Sequence, residues 1–533
     1  MKRIYLFLFA VTAGLTLGFT GCQDLDTFPE GGIVTQKQKE EVYQLDPSKA
    51  MAGVNAIFAQ FSQRMPNATA LGAERHNDFG YPSVMLFTDG NGFDVVSEDN
   101  GYNWMGSNLR YDDRVYTSRE CQILWNDMYK LIFTSNNVIV GINLETEEPL
   151  SQFYLAQGLT VRAFSYLILA QLYQFNYVGH ESAPCVPIIT DENANDVALN
   201  GAPRASVQEV YTLIETDISN AIKLLESAEN AGVKRADKRY VSLAVAYGIR
   251  ARMNLAMQKW SAAAADATKA IEKSEAQPAS MASVSVPSFW SSTEVNWMWG
   301  IVIAETDGVV SSGIVNWPSH MGSLSYGYAN YSKGKQINKA LYESIPASDV
   351  RKGWWLNDQK KSSALTSEQQ AFMDDNGYLA FTQVKFAPYN NEVGTSTNAS
   401  DIILMRIEEM YLIKAEAEYK SNGGGKQTLE DLIKQYRDPN YVCTASDIQE
   451  DVYRQRRIEL WGEGLSWYDM MRLNKPMDRR GGGFPNASLI FNIPAGDPIL
   501  LWKLPEPEIQ ANPALTLDDN NEVTPLPQPV PDL

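Results

Sequence analysis

The stretch Tyr240-Val241-Ser242-Leu243-Ala244-Val245-Ala246-Tyr247-Gly248-Ile249-Arg250-Ala251-Arg252-Met253-Asn254-Leu255-Ala256-Met257 is followed after two residues by Trp260-Ser261-Ala262-Ala263-Ala264-Ala265-Asp266-Ala267-Thr268-Lys269-Ala270-Ile271-Glu272-Lys273. Both halves have helical periodicity, and the connection is too short for anything but a hairpin. Small residues stand where two helices must approach: Ala244, Gly248 and Ala251 in the first, and Ala263, Ala264, Ala267 and Ala270 in the second.

Tetratricopeptide hairpins pack in this way, although the full consensus of that repeat is absent. Further amphipathic runs lie upstream. From Trp125 to Ile139, the positions Met128, Ile132, Ser135 and Ile139 share one face, and Leu155 to Phe175 gathers Leu155, Leu159, Ala163, Tyr166, Leu167, Ala170 and Tyr173. Ser206 with Glu209 opens a run to Leu225 as a capping box. The reading is a mainly α fold, with stacked helical hairpins forming a curved scaffold over about 43–275 and 400–475.

Between them, from about 277 to 398, the composition turns to Ser, Gly, Pro and aromatics, which predicts a loop-rich insert. Asn296 to Ile303 alternates as a strand with Trp297, Trp299, Ile301 and Ile303 on one face, which favours a core position for the two tryptophans. Helices are predicted again over Ile402 to Lys420 and Ile448 to Leu473, and a Pro- and Asn-rich extended segment, 476–533, follows.

The N-terminus reads as an export signal. Met1-Lys2-Arg3 precedes an apolar stretch from Ile4 to Phe19, then Thr20-Gly21-Cys22, so residues 1–21 are excluded from the fold. Their removal takes the net charge from −19 to −21, which argues against nucleic acid and against an electrostatic grip on anionic lipid. Residues 22–42 read as a flexible tether, and 43–533 as one domain. Cys121, Cys185 and Cys443 are far apart and allow at most one disulfide. His76, His180 and His320 show no zinc spacing, and no cofactor is expected. Asp89, Asn91 and Asp94 carry calcium-type oxygens, but Phe93 and Asn100 break the EF-hand pattern and a Gly-rich turn is the better account.

Asp401-Ile402-Ile403-Leu404-Met405-Arg406-Ile407-Glu408-Glu409-Met410-Tyr411-Leu412-Ile413-Lys414-Ala415-Glu416-Ala417 resembles the Leu-Arg-x-x-Glu-x-Tyr-Leu-x-x-Ala-Glu-Ala signature of SusD/RagB proteins. Arg456-Arg457-Ile458-Glu459-Leu460-Trp461-Gly462-Glu463-Gly464, with Asp469 and Arg472, is similar to the family's Arg-x-Glu-Leu-x-x-Glu-Gly helix. Leu504 to Pro513 matches its closing Pro-x-x-Glu-x-x-x-Asn-Pro. Asn136-Asn137, Arg162-Ala163-Phe164 with Tyr173 and Gly179, and Val207 to Tyr211 agree as well, so the resemblance covers the mature chain.

The resemblance implies a non-enzymatic, glycan-binding protein of the outer membrane that faces the exterior and delivers oligosaccharide to a SusC-like TonB-dependent transporter. Phe19-Thr20-Gly21-Cys22 resembles a lipobox, with Phe19 in place of the usual Leu, and makes Cys22 the lipidation site. The signature charges Arg406, Glu409, Glu416, Arg457, Glu459, Glu463, Asp469 and Arg472 are expected to be structural, with Arg406 and Glu409 on one helix face. Peptide capture is the alternative cargo. Glycoside hydrolysis through Glu294 and Glu305 is a third reading.

Six of the twelve tryptophans fall between Trp290 and Trp355. Sugars stack their C–H faces on aromatic rings, and their hydroxyls need polar partners. Trp317, with Tyr326, Tyr328 and Tyr331 after it, is therefore a candidate platform on a loop, so that Trp317→Ala should weaken ligand binding without altering folding. The loop from Asp89 to Arg110 is the second candidate, with Trp104 and Tyr102 as platforms and Asn108 and Arg110 as hydroxyl partners.

Overall fold

The computed structural model describes residues 36–98, 104–327 and 334–533. Helix α1 (Gln36–Leu45) opens this part of the chain, so helix begins six residues inside the expected tether. It is held by Lys39, whose Nζ donates to the Asn137 carbonyl at 3.1 Å, and by Tyr43, which lies against Gly141. Cys22 and the export signal lie outside the described residues.

The scaffold follows as α2 (Met51–Ala59), α3 (Tyr81–Asn91), α4 (Arg119–Ile139), α5 (Pro149–Tyr173), α6 (Val207–Asn230), α7 (Leu243–Ala256) and α8 (Trp260–Lys273). Each of α4 to α8 packs against the next, giving the stack expected from the sequence. The predicted capping box at Ser206 and Glu209 is present. Helix α5 is long and apolar enough to cross a membrane, yet its most apolar stretch is wholly buried, which makes it the central helix of the core. Several of its buried polar side chains are bonded across the core. Arg162 pairs with both oxygens of Asp217 at 2.7 and 2.8 Å and reaches Asn136, while Gln157 bonds both backbone groups of Val241.

The hairpin α7–α8 forms as read, with Ala263, Ala267 and Ala270 fully buried. Gly248 differs from the expectation, because a Cβ there would stand 2.5 Å from the sulfur of Met405 rather than against α8. The small residue admits a different partner, the segment that carries Arg406.

That segment is a strand, β4 (Ile402–Arg406), which pairs antiparallel with β2 (Trp297–Ile301). The predicted helix from Ile402 therefore starts only at α10 (Ile407–Asn422), and Arg406 is its N-terminal flanking residue. The β2 strand is as expected in position, but all five of its residues are buried and both tryptophans lie in the core. The other ladders are two residues each: β1 (Val95–Val96) with β3 (Gln336–Ile337), and β5 (Met477–Asp478) with β6 (Asn492–Ile493). Between β2 and β4 lie short helices and turns, including the five-residue α9 (Trp317–Met321). After α10 come α11 (Lys426–Tyr436), α12 (Ile448–Glu459) and α13 (Ser466–Arg472). The single helix expected over Ile448 to Leu473 is broken because Gly462 and Gly464 adopt positive φ of 74° and 69°, a region that costs other residues strain.

The segment from Asp89 to Asp94 is not the expected Gly-rich loop, since α3 runs to Asn91. Asn91 bonds Asp113 and Arg114, and Asp94 pairs with Arg457. Cys121, Cys185 and Cys443 are buried free thiols.

Candidate functional site

The signature charges form one of two polar assemblies. Arg406 bonds Glu459 at 2.7 Å and Glu463 at 2.9 to 3.1 Å, and Glu408 lies 3.2 Å away. Arg437 and Arg351 also reach Glu459, and Lys385 donates to Glu463 at 2.6 Å. All are almost inaccessible to solvent. Burial alone would raise the Glu459 carboxyl, but Arg437 and Arg406 hold it well below the usual carboxylate range. Glu409 does not pair with Arg406 as expected; Arg406 lies outside the helix, and Glu409 instead holds Arg252. Arg472 bonds Glu416 and Asp469, and Asp469 also holds Arg456. Every member has a counter-charge, so the assembly is a clamp between β4, α10, α12 and α13 with no group left for chemistry.

Beside it, Asp89 is buried and accepts one long bond from the Gly464 N–H at 3.3 Å. Burial pushes its carboxyl up to about 8.

The second assembly surrounds Trp104, which is half-buried and has a φ of 54°. Such a backbone is unusual for a large side chain and marks a position held by its surroundings. The Arg75 guanidinium lies 4.3 Å from the Trp104 ring centre and pairs with Glu120. The His76 ring is 5.1 Å away, and Asn77 Nδ2 donates to the Trp104 carbonyl at 3.2 Å. His320, fully buried in α9, brings its Nε2 within 3.1 Å of the His76 carbonyl, which ties the two candidate segments together. Burial lowers the His76 pKa, and Arg64 and Arg75 act in the same direction while Glu74 opposes them.

Three consecutive side chains here carry buried polar atoms with no protein partner: Arg75 Nε, His76 Nδ1 and Asn77 Oδ1. Buried polar atoms are nearly always satisfied, and a run of exceptions beside a part-exposed aromatic ring leaves hydrogen-bonding capacity unused.

The sequence candidates fall on both sides of this site. Trp104 lies at its centre. Trp317 is only 5% exposed, packs edge-to-face on Phe386 at 4.8 Å, and is a core residue rather than a platform. Asn108 is fully buried, donates to Asp113 at 2.7 Å, and is likewise withdrawn as a hydroxyl partner. Arg110 is exposed and pairs with Asp112 at 3.0 Å. Tyr326 is 48% exposed, with its backbone N–H donating to Thr395. Tyr102, Tyr328 and Tyr331 lie outside the described residues. Arg75, His76 and Asn77 were missed, although a polar triplet between Gly72 and Gly80 is itself a loop signal.

A family model described as the SusD family matches residues 324–516, and one described as starch-binding associating with outer membrane matches 81–255. SusD-like protein P38 of Formosa agariphila is 22% identical over 405 residues, 67% of this chain and 73% of that protein. A SusD-like carbohydrate-binding protein from Bacteroides vulgatus ATCC 8482 is 21% identical with a TM-score of 0.72, and the match covers 90% of this chain and 98% of that one. A SusD superfamily protein from Bacteroides thetaiotaomicron VPI-5482 is 19% identical with a TM-score of 0.69, over 89% and 99% of the two chains. A laminarin-binding SusD-like protein is 17% identical with a TM-score of 0.58, over 90% and 99%. The two family models together cover most of the helical stack and the charge clamp, and the matched folds run nearly the length of the described residues. The chain belongs to the SusD/RagB family.

Proposed function

We propose that this protein binds glycans at the cell surface without cleaving them, and passes them to a SusC-like TonB-dependent transporter in the outer membrane. The observation that carries the reading is the Trp104 cluster. A pyranose would lay its C–H face on the part-exposed Trp104 ring, with the polar side chains of Arg75 and His76 beside it for the hydroxyls. The similar structures of a carbohydrate-binding and a laminarin-binding SusD-like protein support the same ligand class. A lipid on Cys22 would hold the protein to the membrane from outside, and family membership supports the transporter as the partner. Among the signature carboxylates, Glu459, Glu463 and Asp469 are all committed to cations, which supports binding rather than hydrolysis.

The test is a glycan array probed with the purified protein, followed by calorimetry on the strongest hit. Trp104→Ala is expected to weaken that binding by about 1 to 3 kcal/mol with unchanged melting temperature, the cost of truncating an aromatic anchor. Equal affinity of the variant and the original chain would remove the cluster as the site.

A further inference from the structure

A second aromatic pair stands apart from the Trp104 cluster and is built from different segments. Trp290 and Tyr389, both half-buried, meet edge-to-face at 5.7 Å. Trp290 lines a groove of about 320 Å³ with Ser283, Ser288, Glu294 and Asn391 among others, and Tyr389 packs against the Trp290 ring from outside that lining. That volume is at the lower end for a small-molecule site.

The groove is constructed rather than incidental. The Glu294 carboxylate accepts from the backbone N–H groups of Phe289 and Trp290, each at 2.9 Å, and of Ser291 at 3.3 Å, which fixes the turn that presents the indole. On the other side, Asn390 and Asn391 stand consecutively at positive φ of 54° and 58°, and this sharp turn carries Tyr389 outward. Tyr389 donates its hydroxyl to Glu305 Oε1 at 2.8 Å, so its ring is held in place. The side-chain amide of Asn391 lines the groove, is exposed, and makes no hydrogen bond. Val286 and Val295, 48% and 52% exposed, extend the apolar floor.

Half-exposed aromatic rings, the Asn391 amide at the rim, and a shallow groove together match a saccharide, which offers apolar C–H faces ringed by hydroxyls. A compact apolar ligand would leave the Asn391 amide unused. We propose that the Trp290–Tyr389 groove is a second saccharide-binding site that engages another part of the same polysaccharide chain. It rests on the glycan-binding reading, and it adds to it that affinity for long chains exceeds that for short ones, because two linked contacts act together.

The test is affinity electrophoresis of the full chain in gels containing laminarin, starch, xylan or alginate, comparing the original protein with Trp104→Ala, Trp290→Ala and the double variant. In any polysaccharide that retards the original protein, each single substitution is expected to weaken retardation about tenfold and the double substitution to abolish it. Tyr389→Ala and Asn391→Ala serve as second variants should Trp290→Ala fail to fold. Full retardation of the Trp290, Tyr389 and Asn391 variants alongside loss in Trp104→Ala would overturn the second site and leave the glycan-binding reading standing. No retardation of the original protein by any of the four would overturn both.

Discussion

The charges around Arg406 and the polar groups around Trp104 are both assembled from distant parts of the chain, yet they are completed differently. Around Arg406 every cation meets a carboxylate, and the members are sealed from water. Around Trp104 the residue is only half-buried, and three neighbouring polar atoms have no partner. A completed network stabilises one arrangement of the backbone, whereas an incomplete one beside a ring leaves hydrogen-bonding capacity for something else. On this contrast the Arg406 assembly is read as structural and the surroundings of Trp104 as the candidate binding site.

The largest effect is expected where the completed network is broken. Arg406→Met leaves Glu459 and Glu463 short of a cation in a dry interior, and should cost about 3 to 5 kcal/mol of stability in denaturant titration. Stability within 1 kcal/mol of the original chain would mean that the network is not the clamp described. Trp317→Ala comes next, at about 3 to 5 kcal/mol less the relaxation of its short helix, because a buried indole is removed from against Phe386. The folded fraction of that variant should bind ligand as before, reversing the expectation drawn from the sequence. The loss of about 1 to 3 kcal/mol of affinity in Trp104→Ala is smaller and of the opposite kind, with binding lost and stability kept.

The last difference is a slope. Asp89 titrates at about 8 in the folded chain against 3.8 in the open one, so between pH 4 and 8 the folded form holds the extra proton. Its contribution to stability is therefore fully present below pH 4 and is lost as pH rises towards 8. Glu459, depressed, acts in the opposite sense and only in acid, where stability is lost as pH falls. Asp89→Asn should therefore flatten the decline of melting temperature from pH 5 to 8 while leaving the acid limb unchanged. An identical decline in both proteins would place the proton elsewhere.

The helical stack was legible in the sequence because each helix declares its buried face locally, as Ala263, Ala267 and Ala270 do at spacings of four and three. The β4 to α10 junction was not, since Ile402-Ile403-Leu404 is an apolar run that fits either a buried helix or a strand. What decides it is the Trp297 strand, a hundred residues away, and no local pattern reports such a partner. Trp317 was misplaced for a related reason. Asn316 and Pro318 read as loop residues, but Asn316 caps the Ser319 N–H at 2.8 Å and Pro318 sits in the first turn of α9, so the same two residues start a helix. Asp89 to Asp94 misled through its glycines. Gly90 is helical because Met105 presses against it, and a Cβ there would stand 2.8 Å from that side chain. Trp104 stood out because it lies in an N-terminal Gly- and Asn-rich loop of the kind family members carry, whereas its polar neighbours are unremarkable until folding leaves them without partners.

Gly248 has a reach beyond its own helix. The hydrogen it bears in place of a methyl lets Met405 settle into the flank of α7, and Met405 is the residue immediately before Arg406. The seating depth of a single sulfur therefore sets the height at which the arginine meets its carboxylates, and a larger residue at position 248 would be felt first as misalignment on the far side of the strand.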